Sequence, residues 1–166
     1  VLVYEALESC IEASKILDLD ADFRKQMEDA MEKLPPIKIG KDGTIQEWFE
    51  DYELAHPNHR HSSHLLALYP YYQISLDRTP ELAEAAAKSV YRQLNSENWE
   101  DVEWSRANMI CFYARLKNAE EAYKNLKGLL IEFSRENLFT MAPAGIASAE
   151  SDLFELDAMG DGLLYP

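Results

Sequence analysis

Apolar residues recur every three or four positions along most of the chain, a spacing that predicts amphipathic α-helices. The first predicted helix shares one apolar face among Val3, Leu7, Cys10, Ile11, Ser14 and Leu17. The face of the second comprises Phe23, Met27, Ala30, Met31 and Leu34. Asp20 can cap this second helix, and Pro35-Pro36 ends it. Because the linker between the two is short, they are expected to form an antiparallel hairpin.

A short segment of extended chain is predicted after the hairpin. Residues 37–39 alternate in polarity and residues 41–43 form a Lys-Asp-Gly turn, which together indicate a small two-stranded ribbon. Residues 65–69 are apolar and predict a short helix that stops before Pro70.

Three further helices are predicted from their start signals. Thr79-Pro80-Glu81 combines a capping hydroxyl, a first-turn proline and an acid, and the helix it begins runs to about Leu94. Residues 105–116 have a helical period, and Asn118 with Glu121 resembles a capping box for a helix ending near Phe133. From about residue 135 to 166 the period is lost, so this part is predicted to be a long irregular segment.

The fold class predicted from these elements is all-α, with five or six helices paired as hairpins and long loops on one side. The 166 residues fit one domain, and an apolar content of 47% can form a sizeable core. Cys10 and Cys111 lie in apolar helical patterns and are expected to be small core residues.

Charge and hydropathy exclude two classes of partner. Thirty acidic residues against sixteen basic ones give a net charge of −14, which disfavours binding to nucleic acid because phosphate binding needs clustered Lys and Arg. No apolar run approaches the ~20 residues that span a bilayer, so membrane insertion is not expected.

All four histidines lie within nine residues, at positions 56, 59, 61 and 64, and Arg60 lies among them. This histidine segment (residues 56–64) is open to three interpretations: a metal site, a clamp for a sugar or anion, or a crowded structural turn. Imidazoles suit zinc, but no His-Glu-x-x-His helix accompanies them and both cysteines are remote. As a clamp, Arg60 would offer a planar fork of donors, with aromatic residues such as Trp48 nearby for stacking.

Carboxylates are the second candidate chemistry, since glycoside hydrolysis needs a carboxylic acid and a carboxylate base. Asp157 is the most suggestive acid because it lies among apolar residues in the irregular segment, where burial would raise its pKa. Glu100, Asp101 and Glu103 are predicted to form an exposed acidic turn. No G-x-S-x-G nucleophile motif and no glycine-rich phosphate loop occur.

The stretch IGKDGTIQEWFEDYELAHPNHRHSSHLLALYP resembles glycoside hydrolase family 95, the inverting α-L-fucosidases. The resemblance rests on a glycine-bearing turn, then Q-E-W-x-E-D, H-R-H-x-S-H-L and L-Y-P. TPELAEAAAKSV, WSRA leading into FYARL, and NLF add to it in the family's order. The resemblance covers essentially the whole chain.

What the resemblance implies is an (α/α)6 barrel that hydrolyses terminal α-L-fucosides, or related α-L-galactosides, with inversion and without a metal or other cofactor. Arg60 and His61 match the family's sugar-contacting Arg-His pair. Asp157 matches the Asp of an F-x-x-D-G-N segment that supports water activation, and Trp104 matches a Trp near the pocket. The chain departs from the family pattern at Ala158-Met159, where Gly-Asn is usual.

The family's general-acid Glu and its water-positioning Asn pair have no counterpart in these residues. We therefore expect residues 1–166 to be the C-terminal portion of a catalytic domain, about half of the barrel, and to be inactive alone. The substrate would be an oligosaccharide or glycan, and the site of action extracellular or periplasmic. An exposed apolar face could drive association. The alternative is a non-catalytic helical module that binds carbohydrate or protein.

Overall fold

The computed structural model describes residues 1–142 and 153–155, and these are predominantly helical, which confirms the predicted all-α class. The α-helices in the described residues are α1 (Leu2–Leu17), α2 (Ala21–Met31), α3 (Pro80–Leu94), α4 (Glu103–Arg115) and α5 (Ala119–Gly128). The chain divides into two compact units, Val1–Lys38 and Ile39–Pro166. None of the described helices is long and apolar enough to cross a membrane.

The first unit is the predicted helical hairpin. Helices α1 and α2 pack against each other and are joined by three residues, of which Asp18 and Asp20 adopt positive φ angles of 52° and 54°. Aspartate tolerates this left-handed conformation better than most residues, which allows the chain to reverse tightly. Asp20 occupies the N-cap position as predicted, but its side chain makes no capping hydrogen bond.

The hairpin buries little of its predicted apolar face. In α1 and α2 the buried residues are Ile11, Ser14 and Met27. Leu17 is 64% exposed and Phe23 is 58% exposed. Cys10 is also exposed, so its prediction as a core residue is wrong, whereas Cys111 is buried as expected. The period of three and four residues therefore identified the helices correctly without indicating what covers them.

The second unit opens with a turn instead of the predicted two-stranded ribbon. Gly43, at φ 79°, reverses the chain, and the pairing is limited to one antiparallel bridge between Ile39 and Ile45. The Ile45 amide donates to Ser89 Oγ of α3 at 2.9 Å, which anchors the turn to that helix. The short apolar helix predicted at residues 65–69 is instead a 3-10 helix at Ser63–Leu65, and turns follow at residues 66–69.

Helices α3 and α4 form much of the core of this unit. Helix α3 begins at Pro80 after Thr79, as the start signal predicted. Helix α4 begins two residues earlier than expected, where Ser105 Oγ accepts from the Val102 amide at 3.0 Å. The buried residues of α3 are Ala83, Ala85, Ala86, Ser89, Val90 and Gln93.

Helix α5 is capped as the sequence indicated, since the Asn118 side chain accepts from the Glu121 amide at 3.2 Å. A π-helical turn, Leu129–Phe133, extends it to the predicted end. Leu129 packs with Ala107 and Ile110 of α4 in a small cluster, and Trp104, Leu126 and Phe133 lie against it. Helix α4 is thereby joined to α5 through apolar contacts.

The segment predicted to be irregular contains two short strands. Strand β1 (Thr140–Ala142) pairs antiparallel with β2 (Leu153–Glu155), with Met141 opposite Phe154. The prediction of an irregular segment is wrong for these six residues, because strands of three residues are too short to show an alternating pattern.

Candidate functional site

The histidine segment lies along the end of α3 and is fixed there by one buried amide. Gln93 Nε2 donates to the backbone oxygens of His59 at 2.8 Å and His61 at 3.1 Å. Its Oε1 accepts from Ser62 Oγ at 2.8 Å. Gln93 is 5% exposed, so these bonds are largely shielded from water. One side chain of α3 thus binds the segment at His59, His61 and Ser62.

Glu100 binds the same segment from the other side. Its Oε2 accepts from Arg60 Nη1 at 2.9 Å and from the Arg60 amide at 3.3 Å, and lies 2.8 Å from His59 Nδ1. Burial alone would raise the pKa of Glu100, but the hydrogen bonds from His59 and Arg60 outweigh it and lower the pKa. Glu100 is therefore an ionised anchor that orients the Arg60 guanidinium.

The prediction of an exposed acidic turn holds for Glu100, which is exposed, and is wrong for Asp101 and Glu103. Asp101 forms an ion pair with Arg106 and its side chain is 23% exposed. Glu103 is 0% exposed, and neither of its carboxylate oxygens has a hydrogen-bond partner among the residues that the structure describes. Three acidic residues within four positions are typical of a solvent-exposed turn. Here, however, the start of α4 is packed into the core.

His61 connects the segment to α4. Its ring stacks on that of His59 at 4.7 Å between centroids and meets the Trp104 ring edge-on at 5.1 Å. Burial lowers the pKa of His61, and the neighbouring His59 and Arg60 lower it further. The imidazole is consequently neutral at pH 7, with one nitrogen able to donate and the other able to accept.

The structure brings three of the four predicted site residues together. Trp104 lies in the first turn of α4, half-buried, between the apolar cluster behind it and His61 in front. Arg60 precedes His61 and has a side chain that is 24% exposed. Asp157, the predicted catalytic carboxylate, lies outside the described residues.

A cavity of about 260 Å³ opens beside the histidine segment. Its wall includes Glu47, Trp48, His59, His61, His64 and Arg92. This wall combines a carboxylate, imidazoles, a guanidinium and an indole, which are groups that bind neutral polar ligands through hydrogen bonds and apolar contact.

His64 is the deepest of the four histidines, with a side chain that is 7% exposed. Burial lowers its pKa to about 4, with a smaller contribution from the charge of Arg92. Glu47 Oε2 lies 3.8 Å from His64 Nδ1, and burial raises the pKa of Glu47 against the influence of His59 and Arg92. Because His64 is neutral at pH 7 and the distance exceeds that of a hydrogen bond, the two do not form a salt bridge.

The metal interpretation finds no geometric support in the described part of the chain. No group of three or more His, Cys, Asp or Glu side chains converges there as metal ligands. His59 and His61 stack face to face instead of pointing at a common centre.

Four residues of this region were not predicted as site residues: Glu47, Arg92, Gln93 and Glu100. Glu47 lies within the Q-E-W motif, which could have indicated it. Arg92 and Gln93 lie on a helix with an ordinary amphipathic pattern, where nothing distinguishes a side chain that supports a loop from one that faces water. Their roles depend on contacts across more than thirty positions of sequence.

Comparisons with a family profile and with individual proteins point to the same family. The profile described as "Glycosyl hydrolase family 95 catalytic domain" matches residues 1–159. The protein called "Alpha-L-fucosidase 2" from Arabidopsis thaliana is 38% identical over 124 residues, which are 74% of this chain and 14% of that protein. "Probable alpha-fucosidase A" from Aspergillus niger is 29% identical over 127 residues, covering 75% of this chain and 16% of that protein.

A protein of the same description from Aspergillus oryzae is 25% identical over 166 residues, which are 95% of this chain and 23% of that protein. The chain thus spans less than a quarter of the length of these curated relatives. The match to the family covers nearly the whole chain and includes the histidine segment and Trp104. The chain therefore belongs to the family of glycosyl hydrolase family 95 catalytic domains.

Proposed function

We propose that the chain is the C-terminal part of a glycosidase domain that removes terminal α-L-fucosyl residues, or related α-L-galactosyl residues, from oligosaccharides with inversion. The observation that carries this proposal is the meeting of Arg60, His61 and Trp104 within the very motifs on which the family resemblance rests. The relatives named as α-fucosidases support the same substrate class.

Sugar recognition would fall to Arg60 and His61. Glu100 binds Arg60 Nη1, which limits the rotation of the guanidinium and orients its remaining N–H groups. His61 is neutral, so it can donate to one sugar hydroxyl and accept from another. Trp104 supplies an apolar surface beside it, of the kind that packs against the C–H face of a pyranose.

Asp157 would act on the water side of the reaction. In an inverting mechanism a carboxylate takes a proton from water as that water attacks the anomeric carbon, while a carboxylic acid protonates the departing oxygen. The two carboxyl groups stand about 6.5–9.5 Å apart in such enzymes. We propose that Asp157 is the base-side group and that the acid belongs to a part of the catalytic domain beyond these 166 residues.

The hairpin of α1 and α2 fits the same proposal. Leu2, Val3 and Ile16 are 59%, 60% and 81% exposed, an apolar surface that a helical barrel would cover with its neighbouring helices. We propose that further helices of the same catalytic domain cover it, which makes residues 1–166 one portion of an (α/α)6 barrel acting outside the cell or in the periplasm.

The first test is the release of nitrophenol from an aryl α-L-fucoside. The 166-residue chain alone is expected to show no turnover, and a longer polypeptide carrying the complete family domain is expected to be active. The product of the longer protein, followed by proton NMR during the first turnovers, should be β-L-fucose. Turnover by the isolated chain would contradict the proposed division of the site.

The second test replaces Asp157 by Asn in the longer protein, with Asp161→Asn as the matched control. Removal of a catalytic base is expected to lower kcat by about 10²–10⁴ with little change in KM. The Asp161 variant should retain its rate. If the longer protein binds L-fucose but hydrolyses no fucoside, the alternative of a non-catalytic carbohydrate-binding module is favoured.

A further inference from the structure

We propose that Glu47 and His64 together form a second hydroxyl-binding subsite, at which one hydroxyl group of a neutral sugar bridges Glu47 Oε2 and His64 Nδ1. The choice of an L-fucosyl ring as the ligand rests on the proposed function. The subsite itself rests on the geometry of the cavity. It is made by residues other than Arg60 and Trp104.

The first observation is an unsatisfied polar atom. His64 Nδ1 is buried and has no hydrogen-bond partner among the described residues, although its ring lines the cavity. A buried nitrogen without a partner is energetically unfavourable, and a bound hydroxyl would remove that cost. The His64 ring borders the open volume of this cavity.

The second observation is the separation of the two protein atoms. Glu47 Oε2 and His64 Nδ1 are 3.8 Å apart, too far for a direct hydrogen bond. One oxygen placed about 2.8 Å from each atom satisfies both. The hydroxyl would accept from the Nδ1–H group of the neutral ring and donate its own proton to the Glu47 carboxylate.

The charges around the pair favour a neutral ligand. An anion would meet Glu47, and a neutral imidazole provides no charge to offset it, since burial and Arg92 keep the pKa of His64 near 4. A cation would meet Arg92 on the same wall, although Arg92 is partly compensated by its ion pair with Asp42. A hydroxyl group needs neither charge and uses both a donor and an acceptor.

The cavity has the dimensions and the apolar wall for one sugar ring. Its volume of about 260 Å³ lies just below the ~300–1,000 Å³ range of sites for drug-sized ligands, which fits a monosaccharide better than an oligosaccharide. Trp48 is 58% exposed and lines the cavity, so its indole can pack against sugar C–H groups. His61 lines the same cavity and connects this subsite to the Arg60 side of the segment.

The test is an NMR titration of the 166-residue chain, labelled with ¹⁵N in its histidine rings, with L-fucose. Saturable shifts of the His64 ring nitrogens are expected. His64→Leu removes the ring donor, and Glu47→Gln replaces a charged acceptor by a neutral amide oxygen, so each should weaken binding about tenfold. His64→Asn keeps a polar atom near the Nδ1 position and should restore part of the affinity. Glu120→Gln, on the exposed start of α5, is the matched control and should bind as the parent chain does.

The possible failures are distinguishable. If L-fucose shifts His61 while His64 stays unchanged and Glu47→Gln binds normally, the inference is overturned and the proposed function stands. If D-glucose shifts His64 and L-fucose does not, the subsite stands and the fucoside assignment falls. No shift of His64 with either sugar overturns the inference. Circular dichroism checks that each variant is folded. If His64→Leu does not fold, the affinity of Glu47→Gln for L-fucose decides the test.

Discussion

The helical hairpin and the α3–α4 region were predicted from the same kind of pattern, yet they bury very different fractions of their residues. Two of the 16 residues of α1 are buried, against eight of the 13 residues of α4. Apolar side chains in α1 lie in the open, whereas even the polar Ser105 and the acidic Glu103 of α4 are enclosed. A helical period therefore identifies the helix, while packing against neighbouring elements decides which of its faces is covered.

The largest effect expected from this difference concerns the free energy of unfolding. Phe112 in α4 is 2% exposed, and replacing it with Ala should lower the stability by about 3–5 kcal/mol through lost contacts and a cavity. Leu17→Ala in α1, at 64% exposure, should change it by less than about 0.5 kcal/mol. Urea unfolding followed by far-ultraviolet circular dichroism measures both. Equal losses would mean that the hairpin is covered as thoroughly as α4.

A pH dependence of the stability is expected from the buried His64. Its pKa is about 4 in the folded chain and 6.5 as an unperturbed group, so above pH 6.5 it is neutral in both states. As the pH falls from 6.5 towards 4, the unfolded state takes up a proton that the folded state does not, and stability decreases. The decrease attributable to this group is about 3 kcal/mol at pH 4.

The control is His64→Leu, which should flatten the stability profile between pH 4 and 6.5 relative to the parent chain. Glu47 and Arg92, the charged groups of the same cavity wall, are present in both proteins, so the difference isolates the imidazole. Parallel profiles for the two proteins would contradict the burial of His64.

A smaller loss of stability is expected when Gln93 is replaced, and a glutamine of the hairpin serves as its comparison. Gln93→Leu leaves the backbone oxygens of His59 and His61 without their donor and should cost about 1–3 kcal/mol. Gln26→Leu on the exposed side of α2 should be within about 0.5 kcal/mol of the parent. Faster amide exchange in residues 56–64 should accompany the first change alone. The same exchange rates in both variants would remove Gln93 as the support of the histidine segment.

Much of the fold could be predicted because its signals are local. The start of α3 at Thr79-Pro80 and the cap of α5 at Asn118 depend on residues within one helical turn, and both are confirmed. The strands β1 and β2 could not be predicted, since each is three residues long and its pairing partner is more than ten residues away.

The residues of the candidate site could be predicted from the sequence, but the side chains that hold them in place could not. The density of histidines marked the segment, and the family motifs selected Arg60, His61 and Trp104 within it, which the structure brings together. Glu100 is exposed as predicted, but its hydrogen bond to Arg60 was not expected. Arg60 lies forty positions earlier, and such a contact leaves no periodic signal.

The most direct test of the proposed sugar site compares two arginines in the longer protein that carries the complete domain. Arg60→Gln removes the guanidinium beside His61, and Arg78→Gln removes one that binds the Tyr72 backbone oxygen outside the site. If Arg60 binds sugar hydroxyls, its loss should lower kcat/KM for an aryl α-L-fucoside by at least about tenfold, while Arg78→Gln leaves it unchanged. Equal values of kcat/KM for the two variants would contradict a sugar-binding role for the histidine segment.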